Sequence, residues 1–259
     1  MITRICCAHA GGQGKTTVAQ TLYVASRAIG AETGLAAADF IDESGRSKLG
    51  RMYGEKVTEL GTGPSVSAAK ESNDLSAGVR YWDALGPLLL KGNVTMDIGA
   101  NVVDQILNWG KIRRAPDLLR SRNAPPIDVF LVCKAERRAV DDMFDLVRRF
   151  GSSESLPVRR IYVVMNEQGG TFEALGMRET LMKIKMEADL RFVRLPRCMS
   201  ELWVPMEQRY VSLEAALEMS EDKITEKLEV DMWSIYSGMD DLRSWFAATR
   251  EEFKRMDVM

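Results

Sequence analysis

Short apolar runs of strand length alternate with amphipathic segments along most of the chain. The apolar runs that match buried strands occupy residues 3–8, 35–38, 93–96, 127–133, 160–165 and 190–195. Residues 15–29 and 138–150 follow a helical pattern. Buried strands that alternate with helices indicate a mostly parallel sheet with helices on both faces. The pattern therefore predicts the α/β fold class, with ligand-binding side chains just after the strands.

Two stretches depart from this alternation. Residues 43–80 are rich in glycine, serine and charge, which predicts a loop with short helices. From Leu213 onward the chain has a helical pattern. Its aromatic side chains are expected to pack on one buried face; they are Trp233, Tyr236, Trp245 and Phe253. We therefore predict a main domain over residues 1–217 and a helical extension over residues 218–259, packed on the same domain.

The amino-acid composition limits the kinds of functional site that the chain can contain. The 259 residues include 35 lysines and arginines, 37 aspartates and glutamates, one histidine and four cysteines, with a net charge of -2. A single histidine excludes metal sites with several histidine ligands. The near-zero net charge argues against a surface that is basic throughout and binds nucleic acid permanently. The cysteines form no C-x-x-C pair and are expected to be buried thiols in a cytoplasmic protein. We expect no signal peptide, and no run approaches the ~20 apolar residues that span a bilayer.

The strongest motif lies between the first strand and the first helix. Residues 9–17 read HAGGQGKTT, and Gly-Lys-Thr between a strand and a helix is the context of a phosphate-binding loop. Lys15 is expected to contact the β- and γ-phosphates, Thr16 to bind Mg²⁺, and Thr17 to contact the α-phosphate. The predicted cofactor-binding positions of the loop are Gly11, Gly12, Gln13, Gly14, Lys15, Thr16 and Thr17.

Two neighbouring positions extend this motif. Asp97 ends a buried run and can hold a Mg²⁺-bound water, and Gly99 is expected to offer its N–H to the γ-phosphate. A plain strand-ending turn is the alternative interpretation of both residues. His9, at the entrance of the loop, is either catalytic or a structural residue bonded to nearby backbone.

The motifs resemble the ParA/MinD group of deviant-Walker ATPases. The loop resembles the phosphate loop of that group, and residues 97–101 (DIGAN) resemble its Walker B motif and second switch. Residues 195–197 (LPR) and 211–215 (VSLEA) resemble its closing segment, whose backbone around Pro196 flanks the base. These pieces follow the order of the family over residues 1–217. The resemblance implies a P-loop NTPase fold, with ATP and Mg²⁺ as cofactors.

The resemblance also implies roles for residues that no motif singles out. Asp39 and Asp42 follow the second strand, where the family has its first switch, and one of them would position the attacking water. We prefer Asp39, and an aspartate that caps the next helix is the alternative. Asn166 resembles the adenine-reading asparagine, since its amide matches the donor and acceptor of adenine, although an ordinary loop asparagine looks the same. The implied catalytic residues are Lys15, Asp39 and Asp97.

One departure from the family changes the functional hypothesis. The group usually has a lysine directly before the paired glycines, which reaches the phosphates of a dimer partner, and this chain has Ala10 there. Plasmid stability and conjugation proteins of the StbB kind also depart at this position. The leading hypothesis is therefore an ATP-hydrolysing switch in plasmid partition, stability or conjugative transfer. The alternatives are a nucleotide-dependent scaffold with little hydrolysis and a metabolic enzyme of the same superfamily.

Partners follow from the same hypothesis. We expect a nucleotide-dependent homodimer and a small plasmid-encoded partner protein, but no membrane-binding helix at the C-terminus. A cluster of cations is a candidate for nonspecific DNA binding, although a solvated charged face is the alternative; it consists of Lys111, Arg113, Arg114, Arg120 and Arg122. A second set of cations, which follows another predicted strand, consists of Lys134, Arg137 and Arg138.

Overall fold

The computed structural model of the chain describes residues 1–39, 45–60, 77–175, 177 and 188–258. The strands are β1 (Thr3–Cys7), β2 (Gly34–Ala38), β3 (Val57–Glu59), β4 (Val94–Ile98), β5 (Ile127–Lys134), β6 (Val158–Asn166) and β7 (Asp189–Leu195). They form a sheet in the order β3-β2-β4-β1-β5-β6-β7, and every neighbouring pair is parallel.

Helices connect the strands and cover the sheet. The α-helices of the described residues are α1 (Lys15–Ala28), α2 (Lys48–Tyr53), α3 (Ala77–Tyr81), α4 (Leu85–Lys91), α5 (Val103–Ile112), α6 (Ala115–Ser121), α7 (Arg137–Gly151), α8 (Trp203–Gln208), α9 (Leu213–Glu218), α10 (Glu221–Leu228) and α11 (Met232–Arg255). Short 3₁₀ helices lie at Gly54–Lys56, Trp82–Ala84, Glu167–Gly169 and Glu173–Leu175. None of these described helices is long and apolar enough to cross a membrane.

The two faces of the sheet bury separate cores. Successive side chains of a strand point to opposite faces. Ile5 and Cys7 of β1 therefore join the cluster that contains residues of α5 and α7, while Cys6 joins the cluster that contains residues of α1 and α11. Cys6, Cys7 and Cys133 are buried free thiols, as their apolar surroundings predict. The α/β fold class, with helices on both faces of a parallel sheet, is confirmed.

The C-terminal segment is helical, but the prediction of its buried face was partly wrong. Trp245 and Phe253 of α11 are buried, whereas Trp233 is 86% exposed and Tyr236 is 63% exposed. Tyr236 and Trp245 are about two and a half helical turns apart, so they lie on opposite sides of α11. The aromatic residues therefore do not form one stripe.

Residues 43–80 also contain an element that their composition hides. Val57–Glu59 forms the edge strand β3, which pairs with β2. Val57 is buried and Thr58 is exposed, as in an alternating strand. Because the strand has only three residues, this alternation is too short to be recognised in the sequence. This strand extends the sheet beside the loop that follows β2.

The carboxyl ends of the strands lie along one edge of the sheet. In the strand register Lys134 pairs with Asn166, Asn166 pairs with Leu195, and Ala38 pairs with Ile98. β1 occupies the centre, between β4 and β5, so the loop after β1 lies between the ends of these strands. This is where sheets of this kind bind ligands.

Candidate functional site

Glycines shape the loop between β1 and α1. Gly12 and Gly14 have φ angles of +70° and +100°, in the left-handed region that favours glycine. A Cβ atom on Gly14 would lie 2.5 Å from Nδ2 of Asn166, so no side chain fits there. Gly11 and Gly12 are exposed, and Lys15 begins α1. The loop thus presents backbone N–H groups at the start of a helix, which is the geometry of a phosphate site.

The first turn of α1 meets the end of β4. The Thr16 hydroxyl donates a hydrogen bond of 2.6 Å to Oδ2 of Asp97. Lys15 is 8% exposed, and its Nζ donates to the carbonyl oxygen of Ala10 at 3.3 Å. The fold therefore brings a hydroxyl, a carboxylate and an ammonium group together beside the glycine loop.

Asp97 is a buried carboxyl group with a perturbed pKa. The residue is 1% exposed, and burial raises its pKa from 3.8 to about 6, although the Thr16 hydrogen bond and the Lys15 charge act in the opposite direction. Its Oδ1 has no hydrogen-bond partner among the described residues. Mg²⁺ takes oxygen ligands and is often held by one or two carboxylates together with phosphate oxygens and water. The unpartnered carboxylate oxygen and the Thr16 hydroxyl fit such an ion.

Gln13 and Asn166 tie the loop to the ends of β5 and β6. Oε1 of Gln13 accepts a 2.7 Å hydrogen bond from the backbone N–H of Lys134. Nδ2 of Asn166 donates to the carbonyl oxygen of Gln13 at 2.8 Å, and its Oδ1 accepts from the N–H of Gln168 at 3.1 Å. The Asn166 amide therefore supports the loop, and its expected role of reading adenine stays a prediction. One N–H and one lone pair of the amide remain for other contacts.

Two backbone groups that are expected to contact the nucleotide are hydrogen-bonded to other parts of the protein. The Gly99 N–H donates a 2.7 Å hydrogen bond to the carbonyl oxygen of Ala38. It can therefore contact a γ-phosphate only if this bond breaks. The Pro196 carbonyl oxygen accepts the indole N–H of Trp245 at 2.8 Å. This second bond joins the segment after β7 to the C-terminal helix α11.

A cavity of about 630 Å³ opens over the loop. Most of the predicted site residues line it; these are Gly11, Gly12, Gly14, Lys15, Thr16, Thr17, Asp39 and Asn166. Gln13, Asp97, Gly99 and Pro196 are not part of the lining. Gln13 is a buried residue of the loop and is hydrogen-bonded to Lys134 at the end of β5, whereas Asp97 is buried beside the loop and is hydrogen-bonded to Thr16 in α1.

Asp39 lies at the end of β2, on the cavity wall. Its carboxylate is so close to Gly99 that a Cβ atom on Gly99 would overlap it, and its charge raises the pKa of Asp97. Asp39 is therefore near the Thr16–Asp97 pair, and its expected role of positioning water stays a prediction. Asp42, the other candidate, lies outside the described residues.

Three side chains of the cavity carry no sequence motif. Lys48 at the start of α2 and Glu207 in α8 both line the cavity, and Nζ of Lys48 lies 2.7 Å from Oε1 of Glu207. Trp203, also in α8, packs edge-on against Trp245 with ring centroids 5.2 Å apart. These residues were missed because only the tertiary fold brings α2 and α8 beside the loop.

His9 bonds a side chain rather than the nearby backbone. Its Nε2 lies 3.4 Å from Oδ2 of Asp145 in α7. Arg149 also contacts Asp145, at 3.5 Å, and Asp104, at 2.5 Å. His9 therefore belongs to a small ionic network, which corrects the expectation of a backbone contact.

The cations that were expected to bind DNA are largely paired with acids. Arg113 donates two hydrogen bonds to Asp83, of 2.9 Å and 2.7 Å. Arg114 pairs with Asp117 at 2.7 Å and Lys111 with Glu154 at 3.1 Å. This part of the surface is therefore a mixed charged face rather than a cationic patch.

The comparisons with known proteins give weak similarities. No protein-family model and no curated protein matches the chain. Among solved structures, it is similar to the MinC:MinD cell division complex of Aquifex aeolicus (14% identity, 95% of this chain and 96% of that chain, TM-score 0.45). It is also similar to the septum site-determining protein MinD of Pyrococcus horikoshii OT3 with Mg-ADP (16% identity, 88% of this chain and 93% of that chain, TM-score 0.42). A third similar structure is the signal recognition particle receptor FtsY of Elizabethkingia anophelis (12% identity, TM-score 0.41). The match covers 95% of this chain but only 65% of the FtsY chain. Because these similarities are weak, the function has to be inferred from the residues of the chain itself.

Proposed function

We propose that the chain is a ParA/MinD-like switch protein that binds ATP with Mg²⁺ and hydrolyses it. The observation that carries this proposal is the 2.6 Å hydrogen bond between the Thr16 hydroxyl and the buried Asp97 carboxylate, beside the cavity that Lys15 lines. A glycine loop at a helix start, a lysine, a hydroxyl and a carboxylate are the groups that bind a Mg²⁺-nucleoside triphosphate.

In the proposed site each group has one task. The backbone N–H groups of residues 11–17 bind the phosphates, and Lys15 exchanges the Ala10 carbonyl for the β- and γ-phosphate oxygens. Thr16 and Asp97 would hold Mg²⁺, which would supply positive charge to the phosphate oxygens. Asp39, or Asp42 as the alternative, orients a water molecule for in-line attack. The new bond joins water oxygen to the γ-phosphorus, the bond to the β–γ bridging oxygen breaks, and ADP and phosphate leave.

The second candidate function is a nucleotide-dependent scaffold with little or no hydrolysis. Ala10 favours it, because a methyl group stands where the ParA/MinD group usually has the lysine that reaches a partner's phosphates. In that case binding alone would change the protein surface, and exchange of the nucleotide would reset it.

The cellular role that we propose is plasmid partition, stability or conjugative transfer in the cytoplasm, in an StbB-like branch of the family. Its support is the motif resemblance together with the departure at Ala10. A nucleotide-dependent homodimer and a small plasmid-encoded partner are part of this proposal. We also propose residues 1–217 as the ATPase domain and residues 218–259 as its extension; residues of α10, α11 and α1 share one apolar cluster, which supports their packing on the same domain.

Nonspecific DNA binding is a further part of the proposal. Within the cation cluster, it rests on Arg120 and Arg122, which are exposed and form no ion pair with the described residues. Phosphate backbones attract such cations without sequence preference.

A phosphate-release assay, with and without duplex DNA, tests these functions. Mg²⁺-dependent release that Lys15→Ala abolishes supports the switch, and stimulation by DNA supports the plasmid role. Tight ATP binding without release supports the scaffold. If neither ATP nor GTP binds in the presence of Mg²⁺, both functions are wrong.

A further inference from the structure

The proposed site has a cation at an unexpected place. Among the described residues, lysines line the cavity at three positions, which are Lys15, Lys48 and Lys134. Lys15 belongs to the loop motif. Lys134 lies beside Asn166 in the strand register, and its Cδ would be 3.7 Å from a Cβ atom on Gly169, so its side chain runs along the turn after β6. Lys48 comes from the other side of the cavity, and no motif includes it.

The backbone at Lys48 is held in place by hydrogen bonds. The Ser47 side chain caps α2 by accepting the N–H of Gly50 at 3.0 Å. The N–H and the hydroxyl of Ser47 in turn donate to Oε1 of Glu59, at 3.0 Å and 2.9 Å. Glu59 ends β3, so the start of α2 is fixed to the edge of the sheet. Lys48 therefore leaves a defined point on the wall of the cavity.

Two observations locate the Lys48 ammonium group. It lies 2.7 Å from Oε1 of Glu207, which also lines the cavity. It also lies on the wall of the same cavity as Lys15, Thr16 and Asp39. Thr16 contacts the carboxylate that we propose as the Mg²⁺ ligand, and this is the end of the site where a terminal phosphate would lie.

We propose that Lys48 binds the terminal phosphate of a nucleoside triphosphate and supplies, from within the same chain, the cation that Ala10 does not provide. Glu207 competes with this phosphate for the Lys48 ammonium group. Because the proposed contact is with the third phosphate, Lys48 determines the preference for a triphosphate over a diphosphate. The inference rests on the proposed function, since it assumes that the cavity binds nucleotides.

The exposure of the Lys48–Glu207 ion pair favours this exchange. Lys48 and Glu207 have side chains that are 37% and 39% exposed, so their ion pair is weakened by water. A terminal phosphate carries more negative charge than one carboxylate and offers several oxygens to a lysine. Lys48 should therefore leave Glu207 when a triphosphate binds.

The test compares binding of Mg²⁺-AMP-PNP and Mg²⁺-ADP by calorimetry in four variants and the wild type. Lys48→Met keeps the aliphatic part of the side chain and is expected to weaken AMP-PNP by roughly 10- to 100-fold, which is the range of a charge-assisted hydrogen bond, with little change for ADP. Glu207→Gln is expected to tighten AMP-PNP, and this gain should vanish in the double variant Lys48→Met/Glu207→Gln. Lys56→Met is the matched control, because Lys56 pairs with Glu214 at 2.8 Å and does not line the cavity.

The outcomes separate this inference from the proposed function. If Lys48→Met changes the affinities for AMP-PNP and ADP by the same factor, or changes neither, Lys48 does not bind the third phosphate and the inference is wrong. Thermal unfolding of each variant shows that it is folded, and Glu207→Gln tests the same exchange without removing the lysine. If the wild type binds neither nucleotide, or Lys15→Ala binds both normally, the proposed function itself is wrong.

Discussion

Replacing Asp97 by asparagine should stabilise the folded chain at neutral pH. The residue is buried, and Oδ2 accepts the Thr16 hydroxyl at 2.6 Å. Asparagine keeps an oxygen for this bond. Its neutral NH₂ group replaces Oδ1, which has no hydrogen-bond partner among the described residues. The substitution therefore removes one buried negative charge with little change of shape.

The expected size follows from the pKa. Burial raises the pKa of Asp97 from 3.8 to about 6. At pH 4 the carboxyl group is protonated in the folded chain, and as the pH falls further it also becomes protonated in the unfolded chain. Its ionisation then has little effect on the free energy of unfolding. Between pH 3.8 and about 6 the unfolded chain loses its proton first, and the free energy of unfolding falls as the pH rises. Above this range the full penalty remains, and about two pKa units correspond to about 3 kcal/mol.

Urea unfolding in EDTA, without nucleotide, measures this difference. The free energy of unfolding of Asp97→Asn minus that of the wild type should grow from about pH 4 to about pH 6 and then stay constant, near 3 kcal/mol at most. Contributions from titrating groups that do not interact with Asp97 cancel in the difference. Addition of Mg²⁺ and ATP should then stabilise the wild type more than the variant, because the variant lacks the proposed Mg²⁺ ligand.

A second buried aspartate provides the control. Asp128 in β5 is 2% exposed and accepts hydrogen bonds of 2.9 Å and 2.5 Å from Arg159. Asp128→Asn removes the charge that pairs with Arg159 and should destabilise the protein by about 2 kcal/mol. If Asp97→Asn also destabilises the protein at neutral pH, or if its effect does not vary with pH, the reasoning about an uncompensated buried charge is refuted.

Three further substitutions, two of them with a control variant, test the loop and the C-terminal helix. Gly14→Ala should lower the free energy of unfolding by about 1–3 kcal/mol, because its Cβ would lie 2.5 Å from the Asn166 amide at a φ of +100°. Gly11→Ala is the control: a Cβ there meets nothing within 4 Å, so the variant should retain wild-type stability in thermal unfolding. Asn166→Ala should weaken ATP and inorganic triphosphate equally in titrations, whereas a selective loss of ATP would show that the side chain reads the base. Trp245→Ala should cost about 3–5 kcal/mol in urea unfolding, whereas exposed Trp233→Ala should change it by less than about 0.5 kcal/mol.

The sequence predicts those features that depend on neighbouring residues. Six of the seven described strands, the helices α1 and α7 and the helical C-terminal segment follow from apolar periodicity, whereas β3 does not. The glycine loop follows from the glycines and Lys15 between a strand and a helix. Asp97 was also identified from its place at the end of an apolar run. In each case the signal lies within a few positions of the residue.

Features that depend on tertiary contacts were missed or misjudged. Asn166 lines the cavity, but its hydrogen bond to Gln13 was not predicted, because the two residues are distant in the sequence. Lys48 and Glu207 meet only because α2 and α8 pack on either side of the cavity. The aromatic residues Trp233 and Tyr236 are apolar enough for a core, and only the packing of α11 shows that they face outward.

The central position of β1 has a consequence for the order of folding. Of the described strands, β1 pairs with β4 and β5 alone, through residues 94–97 and 127–131. Both partners of β1 come much later in the sequence, and such distant pairings slow folding. During synthesis, the loop after β1 cannot take its final shape before β5 has left the ribosome. The glycine loop that the sequence places early is thus completed late in folding.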